Sequence, residues 1–74
     1  MPELRNVRPG DAIRAFERAG GERRQGKGSH INVKMPNGCV VTIPASKSPV
    51  KVGILLEMIK KAGLTTAEFV RLLR

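Results

Sequence analysis

Ser29-His30-Ile31-Asn32-Val33-Lys34-Met35, then Pro36-Asn37-Gly38, then Cys39-Val40-Val41-Thr42-Ile43 is the stretch that decides the fold. Its first part alternates with period 2. Ile31, Val33 and Met35 fall on one side of an extended chain, and His30, Asn32 and Lys34 fall on the other. Pro36-Asn37-Gly38 is a hairpin turn signal. The β-branched run from Cys39 to Ile43 then returns as the next strand. Cys39 shares a parity with Val41, which reads as a small buried hydrophobe on the core face. Upstream, Gly26-Lys27-Gly28 reads as a turn, and polar Glu22 to Gln25 as a short edge strand. Only the face carrying Ile31, Val33 and Met35 is apolar, so helices must cover that face. His30, Asn32 and Lys34 are then left on the open one.

Helical periodicity flanks this sheet on both sides. Pro9-Gly10-Asp11 opens a helix, with proline suited to the first turn and Asp11 at the positive end of the dipole. Ala12, Ile13, Phe16 and Ala19 give it one apolar face, and Gly20-Gly21 ends it. Residues 1–8 have no periodicity and are expected to form a short flexible tail. Pro44 to Lys51 reads as a loop. A second helix begins at Val52 or Gly53, with Leu55, Leu56, Ile59 and Ala62 on its apolar side and Gly63 as its cap. Thr65-Thr66-Ala67-Glu68 is a capping box for a short third helix, with Leu64 and Phe69 placed as a hydrophobic staple. Phe69, Val70, Leu72 and Leu73 form the apolar side of that helix. The expected fold class is α+β, with residues 1–74 as a single domain.

Composition narrows the partners. A net charge of +8 on 74 residues opposes compaction and favours a polyanionic or acidic ligand. No Asp or Glu occurs between Arg23 and Leu56. No apolar run approaches the roughly 20 residues that a membrane span needs, and the first residues lack a signal-peptide core. Cys39 is the only cysteine, which excludes an internal disulfide and fits a reducing cytoplasm. One Cys and one His are too few for a zinc site built on nitrogen and sulfur, and no cofactor motif is present. Phe16 and Phe69 are the only aromatics, and both lie on helical stripes. Stacking platforms for single strands are therefore not expected.

His30 is the residue these features isolate. Imidazole exchanges a proton near neutral pH, and here it lies in a stretch that attracts polyanions. A base of this kind can remove the proton of a ribose 2′-hydroxyl, whose oxygen then attacks the adjacent phosphate. Lys27, Lys34, Ser29 and the backbone N–H groups around Gly28 are candidates to hold that phosphate. Arg23, Arg24, Lys47 and Lys51 are candidates to steer the RNA backbone. Against this, a lone histidine on an exposed strand face is most often an ordinary surface residue. Two other classes also fit the charge: a non-catalytic double-stranded-RNA-binding module, and a module whose only ligand is an acidic protein.

The order of motifs is distinctive. A helix is followed by Arg23-Arg24-Gln25, Gly28-Ser29-His30, Pro36-Asn37-Gly38, a β run ending Ile43-Pro44, Lys51-Val52-Gly53, a Leu/Ile helix, Ala62-Gly63-Leu64 and Glu68-Phe69. Over nearly its whole length the chain resembles the HicA (YcfA-like) toxin family. The resemblance implies a fold like a double-stranded-RNA-binding domain: helix, three-stranded antiparallel sheet and helix, here with a short C-terminal helix. It implies an endoribonuclease that cleaves mRNA independently of translation, with His30 as the catalytic base and no metal. It also implies neutralisation by a cognate HicB-type antitoxin in a hetero-oligomer. The pattern departs from the family at Gly21, where an aromatic is frequent, at Ala45-Ser46-Lys47, and at Gly53-Ile54.

Overall fold

Three antiparallel strands form the sheet in the order β1 (Glu22–Gln25), β2 (His30–Lys34) and β3 (Val40–Pro44). The computed structural model describes residues 4–26, 28, 30–45 and 47–73. Around the sheet lie α1 (Pro9–Arg18), α2 (Val52–Lys61) and α3 (Thr66–Leu72). The α+β class and the helix–sheet–helix layout of a double-stranded-RNA-binding domain are as the sequence reads. In the register, Asn32 stands opposite both Arg24 and Thr42, and Val33 opposite both Arg23 and Val41. Directly opposed residues share a face, so the sheet has one buried side. Val33, Val41 and Ile43 are fully buried on it. His30, Lys34 and Thr42 are exposed on the other side.

The helices cover the apolar face as the alternation requires. Ala12, Ile13, Ala15 and Phe16 of α1 are buried against the sheet. The Phe16 ring lies 5.0 Å from that of Phe69, tilted by 46°. This contact ties α1 to α3, and Arg18 adds a bond from its Nη1 to the Leu72 carbonyl at 2.7 Å. The capping box of α3 is formed in both directions. Glu68 N–H donates to Thr65 Oγ1 at 3.1 Å, and Thr65 N–H donates to Glu68 Oε1 at 3.0 Å. Those bonds, first that from the Thr65 backbone, hold the Glu68 carboxyl below its ordinary pKa.

Four expectations need correction. Residues 4–8 are not a flexible tail: Leu4 and Val7 belong to the core, and Val50 N–H donates to the Val7 carbonyl at 2.8 Å. Isolated apolar residues carry no period, so this burial left no mark in the sequence. On α2 the buried set is Leu55, Met58, Ile59 and Ala62, while Leu56 is 41% exposed. The spacing i, i+3, i+4, i+7 places Met58 under the helix and turns Leu56 about 100° away from Leu55. Cys39 lies before β3, not within it, and is half-buried. Its N–H donates to Asn37 Oδ1 at 3.0 Å, so it belongs to the hairpin turn. Pro44 is the last residue of β3, and not the start of the loop.

Gly21 explains one departure from the family pattern. A Cβ there would lie 2.5 Å from Val33 Cγ1 and 2.7 Å from the Phe16 carbonyl oxygen. The junction between α1 and β1 is packed directly on the centre of β2, and this arrangement has no room for an aromatic.

Candidate active site

His30 begins β2, opposite Pro44, at the end of the sheet where β1 turns into β2. Two glycines shape that end. Gly26 passes so close to β2 that a Cβ on it would lie 2.5 Å from the His30 carbonyl oxygen. Gly28 has φ +61, a left-handed conformation that glycine adopts without steric cost. The result is a cleft of about 520 Å³ lined by Arg23, Gly26, Gly28, His30, Ile31 and Ala45. The imidazole is exposed. Arg23 supplies a fixed positive charge, and none of these lining residues is acidic.

The open face continues from His30 along the strand. Asn32 is held by Thr42, whose Oγ1 donates to Asn32 Oδ1 at 2.8 Å. Lys34 is four residues from His30, or about 13 Å at strand rise. It therefore lies outside the His30 cleft. Arg24 shares the open face and lies 3.6 Å from Glu22 Oε1. Both partners are largely exposed, so this pair contributes little to stability.

The remaining predicted residues are dispersed. Arg23 and Arg24 are adjacent in sequence, but strand parity sends them to opposite faces of β1. Arg23 and Lys47 meet in a second, larger cleft of about 700 Å³ beside α1. Lys51 is the residue before α2 and lines neither cleft. Lys27 and Ser29 lie outside the described residues. Two cations that sequence reasoning passed over, Arg8 and Arg14, line the larger cleft. Arg14 reads in sequence as an ordinary solvated residue on a helix, and Arg8 as part of the tail. No local signal distinguishes them.

A family profile described as the HicA toxin of bacterial toxin–antitoxin systems matches residues 10–64. The chain belongs to the HicA toxin family. The match runs from the second residue of α1 to the residue after Gly63 and contains the whole sheet and the residues of the His30 cleft. Membership assigns the protein a toxin role in a toxin–antitoxin system and implies a cognate antitoxin. No curated protein matches the toxin. Among its described residues no helix is long and apolar enough to cross a membrane.

Proposed function

We propose that this toxin is an endoribonuclease that cleaves mRNA, with His30 as general base. The observation that carries the proposal is an exposed imidazole in a cleft that also holds Arg23 and a glycine turn, in a member of a toxin family. The imidazole takes the proton of a ribose 2′-hydroxyl. The 2′-oxygen attacks the adjacent phosphorus, and the bond from phosphorus to the 5′-oxygen breaks. The products are a 2′,3′-cyclic phosphate and a 5′-hydroxyl, whose proton comes from solvent. Arg23 offsets the charge that builds on the phosphoryl oxygens. Lys27, Gly28 and Ser29 hold the same phosphate. Lys34, Arg24, Lys47 and Lys51 guide the flanking backbone.

The chemistry needs no metal or cofactor. Glu22 stands opposite Lys34, at the other end of β2 from His30, and the residues lining the His30 cleft include no carboxylate. The antitoxin is of the HicB type. It binds as a hetero-oligomer in the cytoplasm and covers the open face, where its acidic groups meet the same cations as RNA.

Cleavage of an mRNA fragment by purified protein tests this reading. Loss of a general base lowers kcat by about 10²- to 10⁴-fold, and His30→Ala should show a loss of that size with RNA affinity retained. A variant that cleaves as fast as the parent would sink the role of His30. Cleavage abolished by EDTA would sink the metal-free part. RNA binding without any cleavage by the parent protein would assign the fold to the non-catalytic double-stranded-RNA-binding class instead.

A further inference from the structure

The two clefts are one path. Arg23, Ile31 and Ala45 line both, so the His30 cleft adjoins the larger cleft beside α1 at the end of the sheet. Four cations border the larger cleft: Arg8, Arg14, Arg23 and Lys47. Buried Ile13 and half-buried Ile31 form its floor. Arg8 fixes one wall by donating from Nη1 to the Lys47 carbonyl at 3.2 Å. Arg14 and Arg23 are in no ion pair or side-chain hydrogen bond among the described residues. At the same end, no side chain caps the first turn of α1, and Asp11 stands in that turn.

Resting on the ribonuclease reading above, we infer that this larger cleft is a second RNA subsite. It takes the nucleotide next to the scissile phosphate, so the strand turns around the end of the sheet and does not run straight across the open face. A cleft of about 700 Å³ falls within the usual range for small-ligand pockets and admits one nucleotide. The phosphate meets Arg14 and Arg8, and the apolar side of the base or sugar rests on Ile13 and Ile31. Asp11 and Glu17, also on the wall, are acceptors only. They match the exocyclic amino groups of a base, so the groove suits a nucleotide better than a bare anion. Single-stranded RNA is required, because a base held in a duplex cannot turn into the groove.

The test uses a single-stranded 2′-O-methyl RNA, which has no 2′-hydroxyl to react, so binding is read independently of catalysis. Arg14 is exposed, and Arg14→Gln is expected to leave the melting profile unchanged. It should weaken affinity about tenfold, the worth of one charge-assisted contact, and should reduce the salt slope by about 1. Lys47→Gln should act in the same direction. Lys60→Gln, at the far end of α2, should have little effect. The inference is overturned if Arg14→Gln binds like the parent, if Lys60→Gln weakens binding equally, or if Lys34→Gln has the dominant effect. It is also overturned if Arg14→Glu loses antitoxin binding while keeping RNA affinity, since the groove would then serve a protein. A His30→Ala variant that still cleaves unmodified RNA would defeat the catalytic reading and leave these binding results standing.

Discussion

The same one-carbon change, glycine to alanine, should have opposite signs at two places in this fold. At Gly53, in the first turn of α2, an added Cβ meets nothing within 4 Å. Alanine there restricts the unfolded chain and favours the helix, so Gly53→Ala should stabilise by about 0.4–1 kcal/mol. At Gly21 the added Cβ would stand 2.5 Å from Val33 Cγ1, 2.7 Å from the Phe16 carbonyl oxygen and 2.9 Å from Met35 Sδ. The methionine sulfur can move, but the carbonyl cannot, since it accepts from Gly21 N–H at 2.9 Å. Relief requires β1 to lift from α1 and Val33 to leave its place at the centre of β2. Overpacking of this kind costs about 1–3 kcal/mol. A domain of this size has about 4–11 kcal/mol in all, and each kcal/mol is worth roughly 4–8 °C in melting temperature. Gly21→Ala should therefore melt roughly 4–24 °C below the parent, and Gly53→Ala a few degrees above it. Circular dichroism at 222 nm reads both. Equal or higher melting for Gly21→Ala would refute the close packing of the α1–β1 junction on β2.

The other predictions concern the two ends of the chain. Leu4→Ala removes a fully buried side chain and should cost about 2–5 kcal/mol in urea unfolding; a cost near zero would return that segment to the status of a tail. The capping box of α3 links stability to acid. Because its partners lower the Glu68 pKa in the folded state, its contribution is complete above the usual carboxylate range. It is lost as pH falls through the depressed folded value. Glu68→Gln should flatten that acid arm of the melting-temperature profile, and an unchanged slope would remove Glu68 as its source.

The sheet was legible because its sequence obeys one rule without interruption. Ile31, Val33 and Met35 alternate with His30, Asn32 and Lys34, and a turn signal follows immediately. The helices were legible where a stripe ran through several turns, as with Ala12, Ile13 and Phe16. Errors arose where the choice was between neighbours or lacked a period. Leu56 is as apolar as Met58, and only the phase of α2 on the sheet decides which one is buried. Leu4 and Val7 are single residues outside any period, and Val7 is tied to Val50, more than forty positions away. The open-face position of His30 followed from parity. The cleft around it did not, because that depends on how closely Gly26 approaches the β2 backbone.

The distribution of charge carries the same lesson one step further. In sequence, Arg23-Arg24 reads as one basic pair. On a strand it is two separate groups, since successive side chains leave on opposite faces. In a central strand such a pair could not serve one ligand, because its two halves would be divided by the sheet. β1 is short and ends at Gln25, beside the cleft that holds His30 and Arg23, so the division stops there. A flexible polyanion that turns around that end of the sheet reaches Arg24 on one side and Arg23 on the other. His30 stands at the end of the adjacent strand, next to the glycine turn where that crossing begins. A flat acidic surface pressed on the open face would engage Arg24 and Lys34 and leave Arg23 and Arg14 untouched. On the proposed ribonuclease reading, the parity of two neighbouring arginines is thus a physical means of distinguishing a threaded RNA strand from an acidic protein docked on the open face.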